Sequence, residues 1–220
     1  MLASVQTNRS GASVAERRAP LVRCLGLADY ASTYDAMRRF TAGRSPSTPD
    51  ELWVLEHPPI YTAGIAARPE HFPRTSGTPL ARADRGGQIT YHGPGQAIVY
   101  TLVDLERQRL TVRGMVALIE QAVIDVLAQR GVSAGRKPGA PGVYVEGAKV
   151  AALGLRVRRG SCYHGVALNV VMDLAPFSDI DPCGYPGLEV TQTSALGVAG
   201  DAHELGQALA SRIVELLESR

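Results

Sequence analysis

The stretch Arg85-Gly-Gly-Gln-Ile-Thr-Tyr-His-Gly-Pro-Gly-Gln96 decides how the chain is interpreted, because it combines four glycines and a proline with several polar side chains. Glycine costs about 1 kcal/mol and proline about 3 kcal/mol in a helix interior, so the stretch is predicted to be a loop. It leads into residues 97–103, an almost continuous apolar run of strand length. A polar, glycine-rich loop beside a buried strand predicts a site where a ligand approaches the backbone closely. From spacing alone, an ordinary β-turn with a bulge is the alternative.

The composition of the whole chain argues against several classes of protein. The 220 residues carry a formal net charge of only +2, which argues against a dedicated nucleic-acid-binding protein. No apolar run reaches the roughly 18 residues of a membrane span, and the N-terminus lacks the apolar core of a secretory signal, so a cytoplasmic location is expected. Three cysteines without a C-x-x-C spacing indicate free thiols in a reducing compartment and no metal site.

Hydrophobic periodicity divides the chain into a tail and one domain. Residues 1–20 are rich in Ser, Ala and Arg, so a disordered tail is predicted there, and residues 21–220 are expected to form a single domain. Strands joined by short glycine turns, with few helices, predict an α+β fold whose mixed or antiparallel sheet is flanked by helices. Helices are predicted over residues 29–40, 111–130 and 201–218, strands over 21–27, 51–56, 97–103, 142–146, 149–157 and 163–171, and a long functional loop over 66–79.

Cys183 differs from the other two cysteines in its surroundings. It lies in Asp181-Pro-Cys-Gly-Tyr-Pro-Gly187, where proline and glycine on both sides predict an exposed loop of fixed shape. Cys24 has the apolar neighbours typical of a buried structural cysteine, and Cys162 adjoins a predicted strand. Cys183 is therefore the candidate for a reactive thiol.

Lys149 is one of only two lysines in a chain that has 21 arginines. It opens an apolar strand, where partial burial is expected, and burial lowers the pKa of a lysine. A nearby ammonium lowers the pKa of a thiol below its usual ~8.5, so a cysteine–lysine pair can share one proton between nucleophile and base. The alternative is a strand-end lysine that extends its ammonium into solvent.

The five histidines are candidates for acid–base chemistry. His92 and His164 each precede a glycine and are expected to line one pocket as neutral side chains, because the sequence shows no metal-ligand spacing. His57 and His71 lie near prolines and are predicted to be turn residues. His203 begins a predicted helix and is expected to face solvent.

Four motifs in the same order resemble those of the lipoyl (octanoyl) transferases: residues 85–96 quoted above, Lys149-Val-Ala-Ala-Leu-Gly-Leu-Arg-Val157, His164-Gly-Val-Ala-Leu-Asn169 and Pro182-Cys-Gly-Tyr-Pro-Gly187. The resemblance extends from about Leu21 to the C-terminus. It implies an α+β fold shared with lipoate and biotin protein ligases, and the transfer of an octanoyl or lipoyl group without a cofactor. The implied donor is octanoyl-acyl carrier protein. The implied acceptors are lysines of the lipoyl domains of 2-oxoacid dehydrogenase complexes and of the glycine cleavage H protein, and a monomer is expected.

The resemblance also assigns residues to roles. Cys183 matches the nucleophile that forms a thioester acyl-enzyme, and Lys149 matches the residue that lowers the pKa of its thiol. The residues that match the binding site for the acyl substrate are Arg85, Gly86, Gly87, Gln88, Ile89, Thr90, Tyr91, His92, Ala152, Leu153, Gly154, Gly165, Val166 and Ala167.

Two other functions stay open at the level of sequence. An ATP-dependent lipoate or biotin ligase shares the implied fold but needs no nucleophilic cysteine. A catalytically silent protein that docks carrier proteins would make Cys183 and Lys149 incidental. Arg156, Arg158 and Arg159 are expected either to attract acidic partner proteins or to form an ordinary solvated face.

Overall fold

The computed structural model describes residues 18–73, 77–181 and 187–220. Three helices lie within these ranges: α1 (Tyr30–Ala42), α2 (Val112–Ala128) and α3 (Ala202–Glu218). The strands are β1 (Leu21–Leu27), β2 (Glu51–Glu56), β3 (Ile60–Ala63), β4 (Leu80–Arg82), β5 (Ile89–His92), β6 (Gln96–Asp104), β7 (Gly135–Lys137), β8 (Ala140–Val145), β9 (Ala148–Arg158) and β10 (Ser161–Asn169). The predicted tail over residues 1–20 lies outside the described residues as far as position 17, and the single-domain prediction stays a prediction.

A seven-stranded sheet in the order β1-β2-β6-β10-β9-β8-β7 forms the centre of the fold. β1 pairs parallel to β2, and the other neighbours pair antiparallel, which confirms the predicted mixed sheet. Successive side chains of a strand point to opposite faces, and β6 shows this alternation. Its odd-numbered Ala97, Val99 and Val103 join one apolar cluster, while Ile98, Tyr100 and Leu102 join another.

Helices α2 and α3 cover one face of the sheet. Each begins at a capping side chain that accepts a backbone N–H: Thr111 from Gly114, and Asp201 from Glu204. Asp201 and Glu204 form a reciprocal capping box, which leaves fewer helix-end donors unpaired. The apolar faces of both helices pack on the sheet in the larger core cluster.

The opposite face of the sheet carries α1 and a small three-stranded sheet in the order β4-β3-β5. Asp29 caps α1, because its side chain accepts the backbone N–H of Ser32 at 2.9 Å. Tyr61 on β3 and Tyr91 on β5 pack with Phe177 in a third apolar cluster. This second layer leaves a space between itself and the large sheet.

Three predictions from the sequence are wrong or incomplete. Residues 85–96 are not a loop throughout, because Ile89–His92 forms β5 and pairs antiparallel with β3, which was itself not predicted. β7 and the short β4 were also not predicted. Cys24 is exposed rather than buried, because it lies on the edge strand β1, whose residues are all exposed.

Among the described residues, no helix has both the length and the apolar composition required to cross a membrane.

Candidate active site

A pocket lies between the large sheet and the layer formed by α1 and β5. Its empty volume, including the open space at its entrance, is about 550 Å³. The structure brings 12 of the 14 predicted substrate-binding residues together in its wall, and the exceptions are Gly86 and Tyr91. The 12 residues are Arg85, Gly87, Gln88, Ile89, Thr90, His92, Ala152, Leu153, Gly154, Gly165, Val166 and Ala167. Their role in binding an acyl group stays a prediction.

Paired glycines on β9 and β10 form part of the pocket floor. Gly154 lies directly opposite Gly165 in the strand pairing. A Cβ atom on Gly165 would lie 1.9 Å from the carbonyl oxygen of Val99, so no side chain fits there. A Cβ atom on Gly154 would lie 2.9 Å from the carbonyl oxygen of Gly86, whose N–H donates to Leu155 at 3.0 Å. Glycine is therefore required where the 85–88 segment lies directly on the sheet, and this contact borders one end of the pocket.

Arg85 ties the glycine-rich segment to β3. Its Nη1 donates to the carbonyl oxygens of Gly86 (3.0 Å) and Gln88 (2.9 Å). Its Nη2 donates to the carbonyl oxygen (2.6 Å) and the Oγ1 (2.9 Å) of Thr62. The guanidinium, which the sequence singled out as a ligand-binding group, thus also holds the backbone of the pocket wall in place.

His92 is buried in the pocket wall with partners at both ring nitrogens. Nδ1 lies 2.7 Å from Gln96 Oε1, and Nε2 lies 3.3 Å from Thr62 Oγ1. Burial, with added repulsion from His57 and Arg85, lowers the pKa of His92 to about 3. The predicted neutral lining histidine therefore matches the geometry.

His164 lines the same pocket and contacts a carboxylate that the sequence did not single out. Its Nε2 lies 2.9 Å from Asp84 Oδ1, while the Tyr163 hydroxyl donates to Asp84 Oδ2. Burial lowers the pKa of His164, although the contact with Asp84 acts in the opposite direction. Burial alone would raise the pKa of Asp84, but hydrogen bonds from His164, Tyr163 and Tyr34 outweigh it and hold that pKa well below its usual value. Asp84 is therefore an anion that orients the imidazole.

His57, predicted to be a turn residue beside prolines, lies in the connection between β2 and β3 and is fully buried. Its Nδ1 lies 2.6 Å from the carbonyl oxygen of Ala28, and its Nε2 lies 2.8 Å from the hydroxyl of Tyr100 in the pocket wall. The burial lowers the pKa of His57. Its two partners are distant in sequence, so the neighbouring prolines gave no sign of them.

Three pocket residues were missed in the sequence: Tyr30, Ile98 and Tyr100. Ile98 and Tyr100 lie on the same face of β6. The alternation of side chains along this strand would have predicted both residues if the face toward the pocket had been known. The buried hydroxyl of Tyr30 and the Oε1 of Gln88 have no hydrogen-bond partner among the described residues. Burial raises the pKa of Tyr30, which keeps that hydroxyl protonated. Both atoms are available to a polar group of a bound ligand.

The two remaining histidines lie away from the pocket wall. His203 is exposed on the first turn of α3, as predicted. His71 lies in a short 3-10 turn at Pro69–His71, and its Nδ1 is 3.0 Å from Asp181 Oδ2. This contact connects the long 66–79 segment, predicted to be functional, with the start of the segment that contains Cys183.

Lys149 lies buried on the same face of the sheet as the pocket because β9 contains a bulge. Tyr144 on β8 pairs with Lys149, but the next residue, Val143, pairs with Ala151, so Val150 has no partner on β8. Val150 and Ala151 both pack in the core beneath α2 and α3. In a regular strand, side chains three residues apart point to opposite faces. The unpaired Val150 shifts this alternation by one residue, so Lys149 and Ala152 lie on the same face. The lysine is only 3% exposed, as its position at the start of an apolar strand predicted.

The ammonium group of Lys149 contacts polar and aromatic atoms of β8. Nζ donates to the carbonyl oxygen of Pro141 at 3.1 Å and lies 5.1 Å from the ring centroid of Tyr144. A Cβ atom on Gly142 would lie 2.9 Å from Lys149 Cε, so glycine makes room for the side chain. The protein thus holds a cation against a strand next to an apolar pocket.

Cys183 and its neighbours, residues 182–186, lie outside the described residues. The described chain that follows this segment pairs with the backbone of Lys149. The N–H of Lys149 donates to the carbonyl oxygen of Glu189 (2.8 Å), and the carbonyl oxygen of Lys149 accepts from the N–H of Thr191 (2.9 Å). Five residues lie between Cys183 and Glu189, and an extended chain spans at most about 3.6 Å per residue, so the covalent chain limits the distance between their Cα atoms to roughly 22 Å.

Comparison with known proteins supports a shared fold. A family model described as the lipoyl protein ligase A/B catalytic domain matches residues 29–213. A putative lipoate protein ligase from T. acidophilum with bound lipoic acid has a TM-score of 0.73 at 18% identity, covering 91% of this chain and 87% of that one. A biotin protein ligase from Aquifex aeolicus has a TM-score of 0.55 at 13% identity, covering 92% of this chain and 71% of that one. The predicted likeness to both kinds of ligase fold is confirmed.

Relatives with higher sequence identity show to which enzymes within this family the chain is closely similar. An octanoyltransferase of Dechloromonas aromatica is 54% identical over 201 residues, which cover 91% of this chain and 98% of that protein. An octanoyltransferase of Aromatoleum aromaticum is 59% identical over 197 residues, which cover 90% and 85% of the two chains. The chain belongs to the lipoyl protein ligase A/B catalytic-domain family and, within it, to the octanoyltransferases.

Proposed function

We propose that this octanoyltransferase acts through a thioester on Cys183, with Lys149 as its acid and base. The proposed donor is octanoyl-acyl carrier protein, and the proposed acceptor is a lysine of a lipoyl domain, either in a 2-oxoacid dehydrogenase complex or in the glycine cleavage H protein. The octanoyl chain occupies the pocket described above, where Ala152 and Ala167 present small side chains to the ligand.

The observation that carries the proposal is the burial of Lys149 on the pocket face of the sheet. A lysine ammonium is almost never fully buried unless the protein uses or pairs it. Here the bulge in β9 turns it toward the face that carries the apolar pocket, and the chain returning from Cys183 pairs with its backbone. A cation at this position favours the thiolate form of a nearby cysteine.

The proposed reaction has two half-reactions that together conserve protons. In the first, the Cys183 thiolate attacks the thioester carbon of the donor, the carbon–sulfur bond to the carrier breaks, and the leaving thiolate takes a proton from the Lys149 ammonium. In the second, the acceptor amine attacks the new thioester, Cys183 leaves as a thiolate, and neutral Lys149 takes the proton that the amine loses. The starting thiolate–ammonium pair is thereby restored.

The first experiment tests for the covalent intermediate. After mixing with octanoyl-acyl carrier protein, the wild-type chain should gain the mass of one octanoyl group, and Cys183→Ala should neither gain it nor turn over. Cys24→Ala is the matched control, because Cys24 is an exposed cysteine on the edge strand β1 and should retain activity. Normal turnover by Cys183→Ala would exclude the mechanism.

The second experiment separates the two roles of Lys149. Arginine keeps the positive charge but cannot act as a base, because its pKa exceeds 12. Lys149→Arg should still form the acyl-enzyme, because the carrier thiol can leave as a thiolate before it is protonated, but it should transfer the acyl group about 10² to 10⁴ times more slowly, the usual cost of losing a general base. Equal slowing of both half-reactions would indicate a packing defect, and wild-type transfer would exclude Lys149 as the base.

A third test addresses the ATP-dependent alternative. Free octanoate with ATP should give no modified lipoyl domain, whereas octanoyl-acyl carrier protein should give product without ATP. Product formed from free octanoate only when ATP is present would favour a ligase.

A further inference from the structure

Asn169 lies where two neighbouring chain segments separate. β10 pairs with β9 as far as Leu168 opposite Ala151, and then departs. The chain that returns after Cys183 takes its place beside β9, since Val190 forms an isolated parallel bridge with Lys149. Asn169, the last residue of β10, bridges the gap, because its Nδ2 donates to the carbonyl oxygen of Thr191 at 2.9 Å. The backbone N–H of Thr191 in turn donates to Lys149.

Two buried side chains connect Asn169 to the pocket wall. Gln96 Nε2 donates to Asn169 Oδ1 at 2.9 Å, and Gln96 Oε1 lies 2.7 Å from His92 Nδ1. His92 Nε2 meets Thr62 Oγ1, which also accepts from Arg85. Gln96, His92 and Asn169 are each less than 10% exposed, so solvent has little access to this series of contacts.

Both ends of the series require the same hydrogen-bond direction. The carbonyl of Thr191 only accepts, so Asn169 must present its amide nitrogen to Thr191 and its oxygen to Gln96. Gln96 then presents its own oxygen to His92, which must carry its proton on Nδ1. At the other end, the guanidinium of Arg85 can only donate, so the Thr62 oxygen accepts from it. The Thr62 hydroxyl proton then points to His92 Nε2, which carries no proton and accepts. The series runs from Arg85 to the backbone of Lys149 with every donor oriented the same way.

We propose that Asn169 is a positioning residue for the transfer reaction, acting through this relay of Arg85, Thr62, His92, Gln96 and Asn169. The relay holds the returning chain against Lys149, and so fixes the lysine relative to the acyl pocket that Arg85 and His92 line. Hydrogen bonds aligned in one direction polarise each other, which makes the arrangement stiffer than its separate members. The proposal rests on the function proposed for Lys149.

The test uses shape-conserving variants of the full-length chain. Asn169→Leu and Gln96→Met each remove one polar side chain of the relay, and the double variant removes both. Transfer from the octanoyl-enzyme to an unmodified lipoyl domain should slow roughly tenfold to 10²-fold in each single variant, because small displacements at a reacting centre have effects of this size. KM should change much less than kcat. The double variant should be no slower than the slower single variant, since residues in one network are not additive.

Thr193→Val is the matched control. Thr193 is fully buried, and its Oγ1 donates to Val170 at 3.3 Å, so the variant removes a buried hydrogen bond from the same returning chain outside the relay. It should lose stability in urea as the relay variants do, but retain the wild-type rate of transfer. Slow transfer by this control would mean that the relay variants report only general loosening, and would overturn the proposal.

The outcomes also separate this proposal from the one on which it rests. Slow transfer by Lys149→Arg with wild-type transfer by Asn169→Leu would overturn the relay alone. The relay alone would also be overturned if the fold-reductions in the rate of transfer multiplied in the double variant. Wild-type transfer by Lys149→Arg would overturn the role of Lys149 and the relay with it.

Discussion

The buried His92 should make the stability of the protein depend on pH, and His92→Asn should remove the part of that dependence that is due to His92. The asparagine amide nitrogen can take the place of Nδ1 and donate to Gln96, so the substitution removes a titrating group while keeping its main hydrogen bond. The variant will itself be less stable at neutral pH, because the smaller side chain leaves a cavity. The informative quantity is therefore the change in unfolding free energy between two pH values.

The sign and size follow from the pKa of His92. Folding lowers that pKa from 6.5 to about 3, so between these values the unfolded chain binds a proton that the folded chain does not. Stability is then lost as the pH falls, by about 2 kcal/mol between pH 7 and pH 5 for this one group. His57 and His164, whose pKa values are also lowered, add to the loss in the same range. Asp84 acts only below its unfolded pKa of 3.8, outside this range, because its folded pKa is depressed.

Urea unfolding at pH 7 and pH 5 measures this quantity, with the fluorescence of the single tryptophan, the buried Trp53, as the signal. The fall in unfolding free energy between the two pH values should be about 2 kcal/mol smaller in His92→Asn than in the wild type. His203→Asn, on the exposed first turn of α3, is the control and should show the wild-type fall. An equal fall in His92→Asn and the wild type would refute the reasoning.

Three other predictions test the pocket and its surface. Gly165→Ala should lower the free energy of unfolding, measured in urea, by about 3 kcal/mol or more, because the new Cβ would lie 1.9 Å from a backbone oxygen. Gly135→Ala is the control and should be tolerated, because its new Cβ would meet no atom within 4 Å. Ala152→Leu should lower kcat/KM for octanoyl relative to butanoyl carrier protein at least about tenfold, and an unchanged ratio would mean that the chain does not pass Ala152. If the exposed arginines beside the β9–β10 turn steer acidic partners, kcat/KM should fall as salt rises while kcat changes less, and a flat profile would argue against steering.

The long elements were predictable because their apolar residues repeat with the period of a helix or strand. The three helices and the central strand β6 follow from such local patterns. β5 did not, since only Ile89 and Tyr91 are apolar in a stretch bordered by glycine and proline, and its strand conformation depends on pairing with β3. Strand preference is largely a matter of tertiary context, which short segments do not encode.

The candidate site was predictable where a motif kept its residues together, and not where the fold assembles them. The glycine-rich segment and the start of β9 identified most of the pocket wall, and the rarity of lysine drew attention to Lys149, whose catalytic role stays a prediction. Asp84, which adjoins that segment, gave no sign of its contact with His164, because the partner lies 80 residues away. The burial of His57 was not predicted for the same reason, because its partners Ala28 and Tyr100 are 29 and 43 residues distant.

The bulge in β9 makes the spacing between Lys149 and the pocket a matter of residue count. The two side chains that share a face, at positions 149 and 152, are an odd number of residues apart, which a regular strand would place on opposite faces. Loss of the single residue Val150 would reduce this separation to two, so a regular strand without a bulge would keep the lysine on the face of Ala152 and lose only the packing of Val150 in the apolar layer beneath α2. The odd separation between the lysine and Ala152 therefore requires the bulge, and Val150 is the residue that supplies it.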